Sequence, residues 1–165
     1  MHSNSNEKLI LEMISYFSAD PKRIQHFLKV YELSKLIGKN ENLDKNTQKI
    51  LETASIVHDI GIKPAEEKYG SSSGILQEKE GPAEAQKILK KLGYADEEIS
   101  RVCFLIAHHH TYNNIDSMDY QILVESDFLV NMFEDELSVQ SIENAYSKIF
   151  KTQTGKKICK TMFGI

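Results

Sequence analysis

Apolar residues recur at three- and four-residue intervals along most of this chain, and no stretch alternates apolar with polar as a half-buried strand would. Leu9, Ile10, Met13, Ile14 and Phe17 line one helical face over residues 7–17. Ile24, Phe27, Leu28, Tyr31 and Leu36 line a second helix, capped by Asp20, opened by Pro21 and expected to end at Gly38. A third runs over residues 45–57 behind Asp44, with Ile50, Leu51, Ala54 and Val57 inward. The period restarts at Gly81-Pro82, again behind Asp96, and again at Met118 or Asp119, and two further helical stretches cover about 139–150 and 153–162. The pattern predicts an all-α bundle of about seven helices. With 165 residues it is expected to form a single domain over residues 1–165, large enough to bury roughly 70% of its unfolded surface.

One segment breaks the rhythm. From Ile62 to Glu80 the period dissolves through Pro64, Gly70, Ser71 to Ser73 and Gly74, which predicts a long loop and a candidate lid. Composition narrows the function classes. A net charge of -4 gives no long-range attraction for a nucleic-acid duplex or an anionic membrane. Cys103 and Cys159 belong to no metal-binding spacing and read as ordinary thiols of a reducing compartment. The segment from Met1 to Asn6 lacks the positive end and apolar run of a signal peptide, so the expected location is cytoplasmic. A homodimer remains compatible with all of this.

The chemistry gathers around His58-Asp59, set where the third helix gives way to Gly61. His58 falls one turn after Ala54, on the core side, and Asp127 sits among Leu123 and Leu129 on a mostly apolar helix. Buried, unpaired charges of this kind cost several kcal/mol of hydration. A divalent cation would satisfy them together, and a set of imidazoles and carboxylates without thiolates suits Mn²⁺, Fe²⁺, Mg²⁺, Ni²⁺, Co²⁺ or Zn²⁺ in a reactive rather than structural site. Downstream, the apolar stripe of Ile99, Val102, Cys103 and Ile106 runs on to His109 and His110, leaving His108 outward.

These residues resemble those of the HD superfamily of metal-dependent phosphohydrolases. Arg23-Ile24-Gln25-His26 is similar to its first-histidine segment, Val57-His58-Asp59-Ile60-Gly61 to its central motif, and Ser126-Asp127-Phe128-Leu129 to its last, over about residues 20–135. The tail after Glu136 lies outside. The resemblance implies a helical fold in which His26, His58, Asp59 and Asp127 hold one divalent ion, with His58 and Asp59 at the chemical centre, hydrolysing a small phosphate ester such as a nucleotide. Glu80, His109 and His110 are candidates for a second ion or for substrate, and Arg23 and Lys63 for phosphate. Two alternatives go with it, a nucleotide-sensing module without turnover and a di-iron oxygenase on the same scaffold. The chain departs from the family at Ile62, where many members carry a lysine. It also lacks a histidine before Gly81, where it offers Gln77, Glu78 and Glu80.

Overall fold

The computed structural model describes residues 4–165, with side chains from residue 6 onward, so the amino-terminal reading at Met1–Ser3 lies outside the described residues. Among the described residues there are nine helices and no strand: α1 (Asn4–Tyr16), α2 (Pro21–Asn40), α3 (Lys45–Val57), α4 (Ile62–Tyr69), α5 (Gly74–Lys91), α6 (Asp96–Ile106), α7 (Met118–Glu134), α8 (Val139–Ile149) and α9 (Gln153–Phe163). The all-α expectation holds. No helix among these residues is long and apolar enough to cross a membrane.

The starts of α2 and α3 follow their sequence signals. Asp20 accepts the amide of Arg23, and Asp44 accepts those of Asn46 and Thr47, each satisfying donors that a helix start leaves orphaned. At α6 the cap is Ala95, and Asp96, Glu97 and Glu98 occupy the first turn, where carboxylates favour the helix dipole. Helix α2 runs through Gly38 to Asn40 rather than ending at the glycine. Gly38 is there for close approach, because a Cβ would lie 3.1 Å from Leu51 and also meet Gln48 of α3.

Helices α3 and α7 form the centre. From Thr53 to His58 and from Asp119 to Asp127 every residue is buried, as expected of helices covered on all sides. Helix α2 packs on both, α6 packs on α3, and α5 packs on α6 and α4. Leu51, Ile56, Ile106, Ile122 and Leu123 are fully shielded in this core.

The expected loop over 62–80 is mostly helix. Helix α4 follows α3 after a four-residue turn, and only Gly70 to Ser73 separate it from α5. The period was hidden because α4 buries just Ile62, Pro64 and Ala65 in eight residues. Pro64 falls in its first turn, where no donor is missed. Pro82 lies inside α5 instead of starting a helix there. Gly61 has ordinary helical dihedrals (φ -70°, ψ -14°), so its use is not conformational freedom. A Cβ there would lie 2.8 Å from the Gly81 amide nitrogen and also strike the Gln77 carbonyl. The pair Gly61 and Gly81 therefore lets the turn after α3 press directly on the α5 backbone.

The C-terminal helices are tied to α7 by one buried carboxylate. Glu125 accepts the Lys151 amide at 2.6 Å, the Thr152 amide at 2.9 Å and the Gln121 side chain at 2.7 Å through one oxygen, and the Thr152 hydroxyl at 2.5 Å through the other. Glu125→Ala strands two amides at the α9 start, and should lower stability by at least about 3 kcal/mol, read as a lower urea midpoint with unchanged slope.

A second ion network closes the α6–α7 side. Arg101 reaches Asp119 at 2.7 and 2.9 Å and Asp116 at 2.7 Å. Burial pushes the Asp119 carboxyl up, but Arg101 and Ser117 outweigh it and hold it below its usual 3.8. A carboxyl depressed in the folded state stabilises above its unfolded pKa and loses that contribution as pH falls through the folded one. The stability gap between wild type and Asp119→Asn should therefore be full at neutral pH and shrink as acid passes below 3.8, checked by thermal melts across that range.

Candidate metal centre

His58 is the residue immediately after α3, and its ring folds back so that Nδ1 donates to the Ser55 carbonyl at 2.8 Å. His109 does the same after α6, with Nδ1 donating to the Ile106 carbonyl at 2.8 Å. Each ring caps a helix end whose last carbonyls lack partners. A carbonyl can only accept, so both rings carry their proton on Nδ1 when neutral, and each Nε2 presents a lone pair. His26, on α2, is fixed by a carboxylate instead: its Nδ1 meets Glu134 at 2.9 Å.

The free faces of these rings converge. His26 Nε2 lies 3.1 Å from His58 Nε2 and 3.1 Å from Asp127 Oδ1. It is 3.3 Å from Asp59 Oδ2, which is 3.4 Å from His58 Nε2. The four residues that the sequence set together therefore meet at one point, drawn from α2, the turn after α3, and α7. Asp59 presents its other oxygen, Oδ1, to His109 Nε2 at 3.5 Å, and that nitrogen is buried with no hydrogen-bond partner. His109 and His110 group with Asp59 closely enough to share an ion.

Lone pairs 3.1 Å apart repel unless positive charge lies between them. Burial disfavours a charged His58, yet Asp59 and Asp127 outweigh it and push the ring well above its usual range. For His26 burial is likewise outweighed, here chiefly by the Asp127 hydrogen bond, and the ring is raised. Asp59 and Asp127 are driven down despite their burial by the facing imidazoles. The environment favours positive charge at the point where the donors meet. Two to three imidazoles and two carboxylates with fixed tautomers and an orphaned buried nitrogen fit a divalent metal ion.

The site opens into a cleft of about 310 Å³. Arg23 lines it, with its guanidinium on Glu66 at 2.6 and 3.1 Å and Asp20 at 3.2 Å. Gln77 lines the opposite side and meets His110 Nε2 at 3.1 Å. Burial pushes His110 down to about 4, so the ring is neutral at ordinary pH. Glu78 holds the backbone of His110 and the Thr111 hydroxyl, each at 3.0 Å. The start of α5 is thus a packed wall: a Cβ on Gly74 would lie 2.8 Å from the His110 ring.

Two expected participants stand differently. Both oxygens of Glu80 are engaged, by Lys68 and by the Tyr69 hydroxyl at 2.9 Å, and Glu80 joins neither ligand group. Lys63 lies over the Tyr16 ring and on the Tyr16 carbonyl at 3.3 Å, outside the cleft lining. His108, placed outward by the stripe, lies against Phe104 with ring centroids 4.4 Å apart. Sequence reasoning missed Glu134 and Asn131, although Asp127, Asn131 and Glu134 lie at i, i+4 and i+7 on one face of α7. Asn131 donates to Asp127 at 2.9 Å, orienting that carboxylate.

Residues 23–146 match the HD domain family. The chain belongs to the HD domain family. The match extends past Glu136 into α8, further than the motifs alone reached. A crystal structure of a predicted HD superfamily hydrolase from an uncultured Thermotogales bacterium is similar at 23% identity and a TM-score of 0.68, over 96% of this chain and 84% of that one, a likeness of fold. No curated protein matches this HD domain chain.

If the donors hold an ion, saturating Mn²⁺ or Co²⁺ should raise the melting temperature, since about 100-fold excess over Kd adds about 2.7 kcal/mol. Asp59→Ala combined with Asp127→Ala should abolish that rise in a calorimetric scan.

Proposed function

We propose that this protein is a metal-dependent phosphohydrolase acting on a small phosphate ester, with a nucleotide as the expected substrate class. The observation that carries the reading is the convergence of His26, His58, Asp59 and Asp127, with imidazole tautomers fixed so that lone pairs and carboxylate oxygens face one point. A divalent ion held there would polarise a phosphoryl oxygen and lower the pKa of a bound water toward neutrality.

The remaining work falls to the chain. Asp59 faces both the His26–His58 side and His109, which suits it to orient or accept a proton from an attacking water between them. His109 and His110 are offered for substrate or for a second ion sharing Asp59, and Glu80, held by Lys68 and Tyr69, is left out of that role. Arg23 stands at the cleft for a phosphate oxygen. A cleft of about 310 Å³ lies at the small end of ligand pockets, supporting a small ester over a polymer.

The test is an assay with an aryl phosphate and a nucleotide panel under Mn²⁺, Co²⁺, Mg²⁺ and Fe²⁺. Turnover should vanish with chelator and fall at least about 100-fold in Asp59→Ala. Undiminished turnover in that variant would overturn the mechanism, and tight nucleotide binding without turnover would make the protein a sensor instead.

A further inference from the structure

Three imidazoles face the centre, and each is oriented through Nδ1. For His58 and His109 the acceptor is a backbone carbonyl three residues back, which no substitution of a side chain removes. For His26 it is the carboxylate of Glu134, contributed by a different helix, 108 residues away in sequence. The other oxygen of Glu134 takes the Lys29 ammonium at 2.6 Å. Lys29 lies three residues after His26, so the carboxylate is gripped by two groups from neighbouring turns of α2.

We propose that Glu134 is the positioning residue of the metal centre: it holds the His26 ring with Nε2 aimed at the ion and strengthens that nitrogen as a donor. This rests on the metal-binding reading above. A ligand imidazole that donates to a carboxylate is a better electron donor than one that donates to a neutral carbonyl, and loses orientation when that partner is removed. His26 depends on it most, because it arises from the middle of a helix face rather than from a capped helix end. The arrangement is local to α7, where Asp127 supplies a ligand, Asn131 steadies it, and Glu134 reaches past them to the back of His26.

The experiment is direct titration of the purified full chain with Mn²⁺ by calorimetry, with no substrate present, alongside melting of the metal-free protein. Glu134→Ala should weaken Mn²⁺ binding about 10- to 100-fold. Glu134→Gln, which can still accept from Nδ1, should recover part of the loss. Lys29→Met should leave affinity within about threefold of wild type, because the contact that matters is the one to His26. In the Co²⁺ form, Glu134→Ala should also shift the visible absorption bands, which report the ligand field. Unchanged affinity in both Glu134 variants overturns the proposal, as does an equal loss in Lys29→Met, which would assign the effect to the ion pair. Should Glu134→Ala fail to fold, Glu134→Gln decides alone. A wild-type protein that binds no divalent ion would instead overturn the metal centre itself.

Discussion

Everything at the centre depends on two helix ends whose spare carbonyls are capped by histidine rings. Ser55 and Ile106 accept Nδ1–H from His58 and His109, three residues on in each case. That hydrogen bond is worth little by itself, about 1 kcal/mol net. Its larger effect is to decide which nitrogen of each ring is bare. Once Nδ1 is occupied, both Nε2 lone pairs point to the same buried space as Asp59 and Asp127, and the arrangement is electrostatically incomplete without a cation. The ordinary reading of His58, a helix cap, and the functional one, a ligand, are therefore the same contact seen from two sides of the ring.

Holding such a cluster in place requires elements that do not give. Helix α3 is buried up to the turn that carries His58 and Asp59, and α7 is buried through Asp127, so core packing fixes the backbone on which these residues stand. The turn bearing Asp59 is backed by α5 through the contact of Gly61 with Gly81, and the Tyr16 hydroxyl donates to the Ile60 carbonyl at 3.1 Å. On the far side of α7, two residues before Asp127, Glu125 binds the α9 start. One helix thus carries Asp127 on one face and an anchor for the chain's end on another. Helix α9 packs on α2 and α7 and contributes nothing to the cleft lining.

The legible part of this molecule was the part written in periodic apolar residues and in motif order. Helices α2, α3, α6 and α7 announce themselves because each buries four or more residues, and α1 because Leu9 and Met13 recur one turn apart in its core face; His26, His58, Asp59 and Asp127 carry their own flanking text. Helix α4 was invisible because its buried stripe is only Ile62, Pro64 and Ala65, and the run of serines beside it reads as loop. The constraint on Gly61 is not local either, since it comes from Gly81, twenty residues away. Glu80 looked like a ligand by its place before Gly81, but Lys68 and Tyr69, one turn of α4 and its end, reach it first. Glu134 could have been noticed as the end of a polar i, i+4, i+7 stripe. Nothing in the sequence says which ring lies behind it.

The charge around the cleft also limits how an anionic substrate can be held. Of the two cations expected to grip phosphate, Lys63 rests on Tyr16, and Arg23 is shared between Asp20 and Glu66. Against Arg23 and Lys22 the cleft lining sets Asp20, Asp59, Asp127, Glu134 and Asp135. Coulomb repulsion in a partly dry cleft makes this a poor anion site on the protein's own charges. On the proposed reading, the attraction for phosphate must come from the ion, so the residues that fix the ion also fix the substrate. Arg23 contributes only if a phosphate oxygen displaces one of its carboxylates, which exchanges one bidentate partner for another of similar geometry. His110 with Gln77 then forms a neutral wall, against which the non-reacting part of a small ester can lie without a net electrostatic cost.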